Sequence, residues 1–242
     1  MDCAIERSKI QVLYDACDAV FSQKELPTFQ QIQWLKNLLD LMEAIDVGID
    51  EFSLHQSPFS SPKITKGLVC GQAVSEITYI HIRECDNFSM GVFCFPAGGT
   101  FPLHDHPNMT VLSKLLYGSV QVKAYDWVKA ENSSCRTIGL AGIVTNSIFN
   151  APREPSILFP RSGGNIHSFT ALTPCAILDV LAPPYSEEFG RPSTYFNDMP
   201  IPTLPGYVIL EERDLPDDLV VTRAPYLGPS IVAAGDELMT CS

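Results

Sequence analysis

After Lys66 the apolar residues stop recurring every third or fourth position and begin to alternate, and that change fixes most of what this chain can become. Glu76–Arg83, Ser89–Phe95, Thr110–Leu116, Ser119–Asp126, Ser156–Phe159, His167–Ala171 and Ala176–Ala182 each have strand length and β-branched or aromatic enrichment. Gly, Pro and Asn turns separate them, and many short strands so punctuated imply a barrel or a sandwich. The Tyr117-Gly118-Ser119 step reads as a tight hairpin between two of them. Beyond Pro183-Pro184 the chain is rich in proline, and Pro192, Pro200, Pro202, Pro205 and Pro216 leave room only for short edge pieces, Tyr207–Glu211 and Leu219–Thr222.

The first fifty residues follow the helical period instead. Ile10, Leu13, Cys17, Val20 and Phe21 trace one apolar stripe, and Ile32, Leu35, Leu38, Leu39 and Met42 trace a second. Thr28 and Gln31 have the spacing of a capping box at the start of the second helix, with Pro27 just outside it and Gly48 marking its end. Both helices are amphipathic and are expected to pack on the outside of a sheet. The expected organisation is therefore N-terminal helices over 1–55, a Ser/Pro-rich loop over 56–68, a barrel with proline-rich C-terminal strands over 69–230, and a tail over 231–242.

Composition narrows the partners. With 242 residues and 45% hydrophobic content the chain can bury one substantial core. A formal net charge of -12 argues against a nucleic-acid or anionic-membrane surface. No apolar run reaches the roughly 18 residues of a membrane span, and the start, Met1-Asp2-Cys3-Ala4-Ile5-Glu6-Arg7, lacks a signal core, so an intracellular protein is expected. Eight scattered cysteines without a Cys-x-x-Cys pair read as reduced, packed thiols.

The chemistry lies in Gly98-Gly99-Thr100-Phe101-Pro102-Leu103-His104-Asp105-His106-Pro107, answered later by Ser162-Gly163-Gly164-Asn165-Ile166-His167. In an extended strand His104 and His106 project to one face while Asp105 goes to the other. A third imidazole from a later strand, His167, would complete a facial set of neutral nitrogens suited to a first-row divalent metal. A His-x-His pair alone carries little weight, since a lone histidine in such a strand is more often a packed or surface residue. His81, in an alternating strand, and His55, in a loop, are read that way.

The pattern Gly-x5-His-x-His followed by Gly-x2-His resembles the two motifs of the cupins, double-stranded β-helix barrels that hold a metal. It departs from them where metal cupins carry a Glu, because Thr110 and Val111 stand there, and Ala171 replaces a frequent Asn. Without that carboxylate a bound Fe(II) keeps its full double positive charge and favours a soft anionic ligand such as a thiolate. An open neighbouring position could then take dioxygen, and adding both its atoms to sulfur gives a sulfinic acid.

The longer string Met90-Gly91-Val92-Phe93-Cys94-Phe95-Pro96-Ala97 leading into that run, with Tyr117-Gly118-Ser119-Val120, Pro160-Arg161-Ser162, Ile177-Leu178-Asp179-Val180-Leu181-Ala182-Pro183-Pro184-Tyr185 and Gly190-Arg191, resembles the thiol dioxygenase family of animal cysteamine dioxygenase and the plant cysteine oxidases, the plant branch most closely. The resemblance implies a mainly β cupin barrel and an Fe(II) enzyme that uses O2 to oxidise the N-terminal cysteine of proteins to its sulfinic acid. It further implies Cys-initiating substrates such as group VII ethylene-response transcription factors, whose oxidised terminus enters an oxygen-sensing N-degron route. A monomer in cytoplasm and nucleus is expected. His104, His106 and His167 would hold the metal. Asp179 would orient substrate or a ligand histidine, against a strand-end salt bridge as the plainer alternative. Tyr185 would either donate its hydroxyl toward the oxygen site or pack at the rim. Ser193 stands where the animal branch has the cysteine of a Cys-x-Tyr cross-link, so no thioether to Tyr195 can form. Three other readings stay open: a dioxygenase of free cysteine or cysteamine, a non-catalytic metal-binding cupin, and a zinc hydrolase.

Overall fold

Two polar caps start the helical part of the chain. In the computed structural model, which describes residues 7–50, 76–128, 138–217 and 219–233, Ser8 caps α1 (Lys9–Phe21) and Thr28 caps α2 (Phe29–Asp40). The expected capping box is present: the Gln31 N–H donates to the Thr28 hydroxyl and the Thr28 N–H to the Gln31 side chain. α2 does not run on to Gly48. It ends at Asp40, and a separate 3-10 turn, Ala44–Val47, follows, closed by Gly48. The physical reason is local: the Asp46 carboxylate accepts the Glu43 N–H and caps a new turn before the glycine is reached.

Among the described residues twelve strands follow: β1 (Ile77–Glu84), β2 (Ser89–Phe95), β3 (Thr100–His104), β4 (Thr110–Tyr117), β5 (Ser119–Trp127), β6 (Ile138–Asn150), β7 (Ser156–Leu158), β8 (Ile166–Ala171), β9 (Cys175–Ala182), β10 (Tyr195–Pro200), β11 (Tyr207–Arg213) and β12 (Val221–Ala224). One sheet runs β12-β1-β2-β9-β4-β7, and β10-β11-β6-β5-β8-β3 closes on itself. This mainly β architecture, with two helices laid against it, is the expected cupin-type double-stranded β-helix. Tyr117-Gly118-Ser119 corrects one expectation. β4 and β5 belong to different sheets, so this step is a corner that carries the chain from one sheet to the other rather than a hairpin.

Alternation sorts the core. On β9, Ala176, Leu178 and Val180 face out and pack with Ile10, Leu13, Leu35 and Leu39 of the helices, so the helices cover the outer face of this sheet as expected. The intervening Cys175 and Ile177 face the interior with Leu115, Val120, Val122, Ala124 and Phe95. Lys114 locks the layers together: its buried ammonium donates to the Asp40 carboxylate, the Asp40 carbonyl and the Arg153 carbonyl, tying the end of α2 to the chain just before β7. Residues 231–233, assigned to the tail, lie against α1, where Gln11 exchanges two hydrogen bonds with Val232.

Cys17, Cys85, Cys94 and Cys175 are free thiols, and burial pushes those of Cys94 and Cys175 up to about 12. The stretch 56–68, His55, Cys3, Cys70, Cys135 and Cys241 lie outside the described residues. No helix among the described residues is long and apolar enough to cross a membrane.

Candidate metal centre

β3 and β8 are antiparallel neighbours, and their register sets His104 directly opposite His167. A bulge between Phe101 and His104 falls at Pro102, which has no N–H to give the ladder. The freed Pro102 carbonyl accepts from His104 Nδ1 at 2.9 Å. His106 arrives differently from its expected place in a strand, because β3 ends at His104 and the chain turns at Asn108, held in a left-handed conformation (φ 57°). Asp105 points away as expected, its carboxylate accepting the Thr194 N–H.

What fixes His106 is Asn165. Its side-chain oxygen accepts the His106 N–H, its amide donates to the His106 and Phe159 carbonyls, and its own carbonyl accepts from His106 Nδ1 at 3.0 Å. Asn165 is itself held by Asp126, whose carboxylate oxygen accepts the backbone N–H groups of Gly164 and Asn165. This chain of contacts was not legible as function in the sequence; the available signal was a polar residue two positions before a ligand, following a Gly-Gly turn. Supporting hydrogen bonds to metal ligands are worth about 10–100-fold in metal affinity. Asn165→Ala is therefore expected to weaken divalent metal binding by about 10–100-fold, measured by competition with a chelating dye.

The three rings converge. His104, His106 and His167 are 6%, 4% and 6% exposed, and each could offer one ligand atom such that the three lie within 4.8 Å of one another. Phe101 meets the His104 ring edge-on at 4.8 Å, and Phe169 lies 4.5 Å from the His167 ring, which restricts both imidazoles. Burial pushes His104 down to about 4; burial and the charge of neighbouring imidazoles push His106 to about 3 and His167 well below the usual range. All three are therefore neutral near pH 7, the state a metal requires. The His167 ring donates to the Gly164 carbonyl, so each imidazole has an N–H engaged by a backbone carbonyl and a second nitrogen to give. The donor set fits a divalent first-row ion.

The cluster stands in a cavity of about 810 Å³ whose wall includes Tyr79, Phe93, Asp179 and Tyr185 and whose rim carries Glu84, Glu187, Arg191, Glu212 and Arg213. Asp179 sits mid-strand in β9, between Gly91 on β2 and Ser113 on β4. It hydrogen-bonds Ser113, its Oδ1 is shut off from solvent with no hydrogen-bond partner, and burial pushes its carboxyl up to about 7. The Tyr185 ring lies 5.6 Å from His106, and its hydroxyl donates to the Asp105 carbonyl at 2.7 Å, which commits its proton to the backbone between the two ligands. Ser193 hydrogen-bonds both Tyr185 and Tyr195. His81 is exposed on β1, outside the site.

A two-sheet β-helix with three buried histidines converging inside it is a cupin whose site fits a metal ion. Residues 38–231 match the PCO_ADO family, and the chain belongs to that family of thiol dioxygenases. It is 39% identical to plant cysteine oxidase 2 of Arabidopsis thaliana, over 92% of this chain and 83% of that one. Identity to plant cysteine oxidase 1 of Arabidopsis thaliana is 40%, over 92% and 80% of the two chains. The 2-aminoethanethiol dioxygenase of Homo sapiens is 30% identical, over 84% and 82%.

Proposed function

We propose that this chain is an Fe(II)-dependent dioxygenase of protein N-terminal cysteine, producing cysteine sulfinic acid from the thiol and O2. The observation that carries this reading is the neutral three-histidine cluster, with no carboxylate ligand among the described residues, in an open cavity of about 810 Å³ in a chain of this family. When bound there, ferrous iron would lower the thiol's pKa and activate dioxygen at one centre. The stoichiometry needs no further reductant: the S–H bond is lost, both oxygen atoms join sulfur, and the proton ends on the sulfinic acid or in solvent.

The chain's own residues do the rest. His104, His106 and His167 hold the metal. The Asp179 carboxylate faces the same cavity and suits the α-ammonium of a terminal cysteine, which an internal cysteine lacks. Tyr185 braces the backbone between His104 and His106. The higher identity to the plant cysteine oxidases supports Cys-initiating regulators, such as group VII ethylene-response factors in cytoplasm and nucleus, as substrates in an oxygen-sensing N-degron route.

The test is mass spectrometry of a Cys-Gly-Gly peptide incubated with iron-loaded protein under oxygen-18 gas. Two labelled oxygens on a terminal cysteine, and none on an acetylated or internal one, support the reading; consumption of free cysteine or cysteamine alone overturns the protein-substrate part of it. Asp179→Asn is expected to keep full iron content while lowering kcat/KM for the peptide by about 10–100-fold. It also carries a pH signature. The folded carboxyl is raised to about 7 from 3.8, so its ionisation favours the unfolded chain. Wild type therefore loses stability relative to Asp179→Asn as pH rises from 3.8 to about 7, which thermal unfolding across that range measures.

A further inference from the structure

The histidine cluster has a second approach. A separate cavity of about 560 Å³ reaches His167 from the side where the chain before and through β7 faces β6. Its mouth is formed by Lys36, Thr145, Arg153 and Glu154, residues with no part in the rim of the larger cavity. The two cavities share four wall residues, Ser113, His167, Phe169 and Ile177, so a thin partition of side chains separates them at the ligand itself.

The two walls differ in chemistry. Inward from its mouth the second cavity is lined by Leu115, Val120, Val122 and Ala124, all buried aliphatic side chains of β4 and β5. A peptide terminus taken along that wall would leave its ammonium and amide groups without hydrogen-bond partners. The rim of the larger cavity, by contrast, offers carboxylates and guanidinium groups to such a substrate. Cavities lined by Leu, Val and Phe stay dry and take up small apolar guests. Dioxygen is small and apolar.

We propose that the second cavity is a route by which dioxygen reaches the histidine cluster while the thiol substrate fills the larger one. The helical layer shapes its mouth: Lys36 of α2 pairs with Glu154 at 2.7 Å, the Arg153 guanidinium stacks 3.7 Å from the Phe149 ring, and Lys114 fixes the Arg153 carbonyl to the end of α2. Residues far from the metal thereby set the width of the gas path. The inference rests on the dioxygenase reading above, and its test separates the two.

Crystals of the iron-loaded protein under xenon pressure are expected to show xenon among Leu115, Val120 and Val122. Val122 lies opposite Phe169 on β8, and Val122→Phe is expected to narrow the route there. It should raise KM for O2 by about fivefold or more while leaving KM for the peptide and kcat at saturating O2 near wild type. Leu115→Ala, which widens the same wall, should lower KM for O2, and it stands in should Val122→Phe not fold. An empty second cavity under xenon, or an unchanged KM for O2 in folded variants, overturns the route. Xenon in the cavity of a wild-type protein that consumes no oxygen overturns the dioxygenase reading instead.

Discussion

Replacing His167 with alanine is expected to leave a folded protein that retains little iron and consumes oxygen about a thousandfold more slowly. The expectation follows from where His167 stands. Among the described residues it is one of three donors, it lies opposite His104 in the β3–β8 register, and no described carboxylate joins the cluster to replace it. Loss of one imidazole leaves a two-nitrogen set with too few ligands to hold a divalent ion against solvent. The fold should tolerate the change. Desolvation disfavours charge at this position, the histidine makes one backbone hydrogen bond, and its space adjoins the larger cavity, whose polar rim can admit water. Iron content by colorimetric assay, oxygen uptake by electrode and the thermal unfolding midpoint together separate the outcomes. Oxygen uptake at the wild-type rate in a folded variant would show the histidines to be structural.

The ligands were legible because their spacing is local chemistry: His-x-His after a glycine corner and a later Gly-x-x-His are visible in any reading of the chain. How they meet was not. His106 lies beyond the end of β3, so strand alternation does not aim it; the clamp from Asn165, braced by Asp126, does, and those contacts span 59 and 39 residues. β6 was missed for a related reason. Ile138–Asn150 carries exposed Ile143, Val144 and Ile148 amid Gly139, Gly142, Thr145, Asn146 and Ser147, so no face alternates cleanly; the strand exists because β5 and β11 pair with it on either side. The strand carrying His104 was expected, though not that it stops at His104, while β10 was hidden by Pro200, which sits at its end, where the missing N–H costs the ladder little. The helical half was the easier one, since its caps and apolar stripes are contained within a few turns, and only the acidic turn at Glu43–Asp46 broke the pattern.

The helices also change the meaning of distance in this molecule. Lys36 and Asp40 belong to α2, on the outer face of the first sheet, yet through Glu154 and Lys114 they hold the segment that frames the second cavity. A barrel alone could carry the three histidines. The added layer frames one side, while the charged rim of the larger cavity is built from the end of β1, the loop before β10 and the end of β11. The two cavities can therefore vary separately in this architecture.

Stability depends on the corner that joins the two sheets, and Gly118→Ala is expected to cost about 3–5 kcal/mol. Gly118 has φ 84°, and a Cβ there would come within 2.2 Å of the Pro174 carbonyl oxygen and 2.6 Å of Cys175 Cβ. Neither neighbour is the flexible end of a side chain. The Gly118 carbonyl also accepts the Ala151 N–H, so the corner cannot move without disturbing the junction after β6. A second glycine separates the two contributions. Gly98 has nearly the same φ, 81°, with nothing within 4 Å of a would-be Cβ, so Gly98→Ala pays only the left-handed backbone penalty of about 1–2 kcal/mol. Chemical denaturation of both variants at equal iron loading measures the difference. Equal losses would mean that the corner relaxes around a methyl group and that steric closure between the sheets is not what holds the chain in register. A loss at Gly118 larger by about 2 kcal/mol or more would place that closure at the single residue where β4 of one sheet becomes β5 of the other.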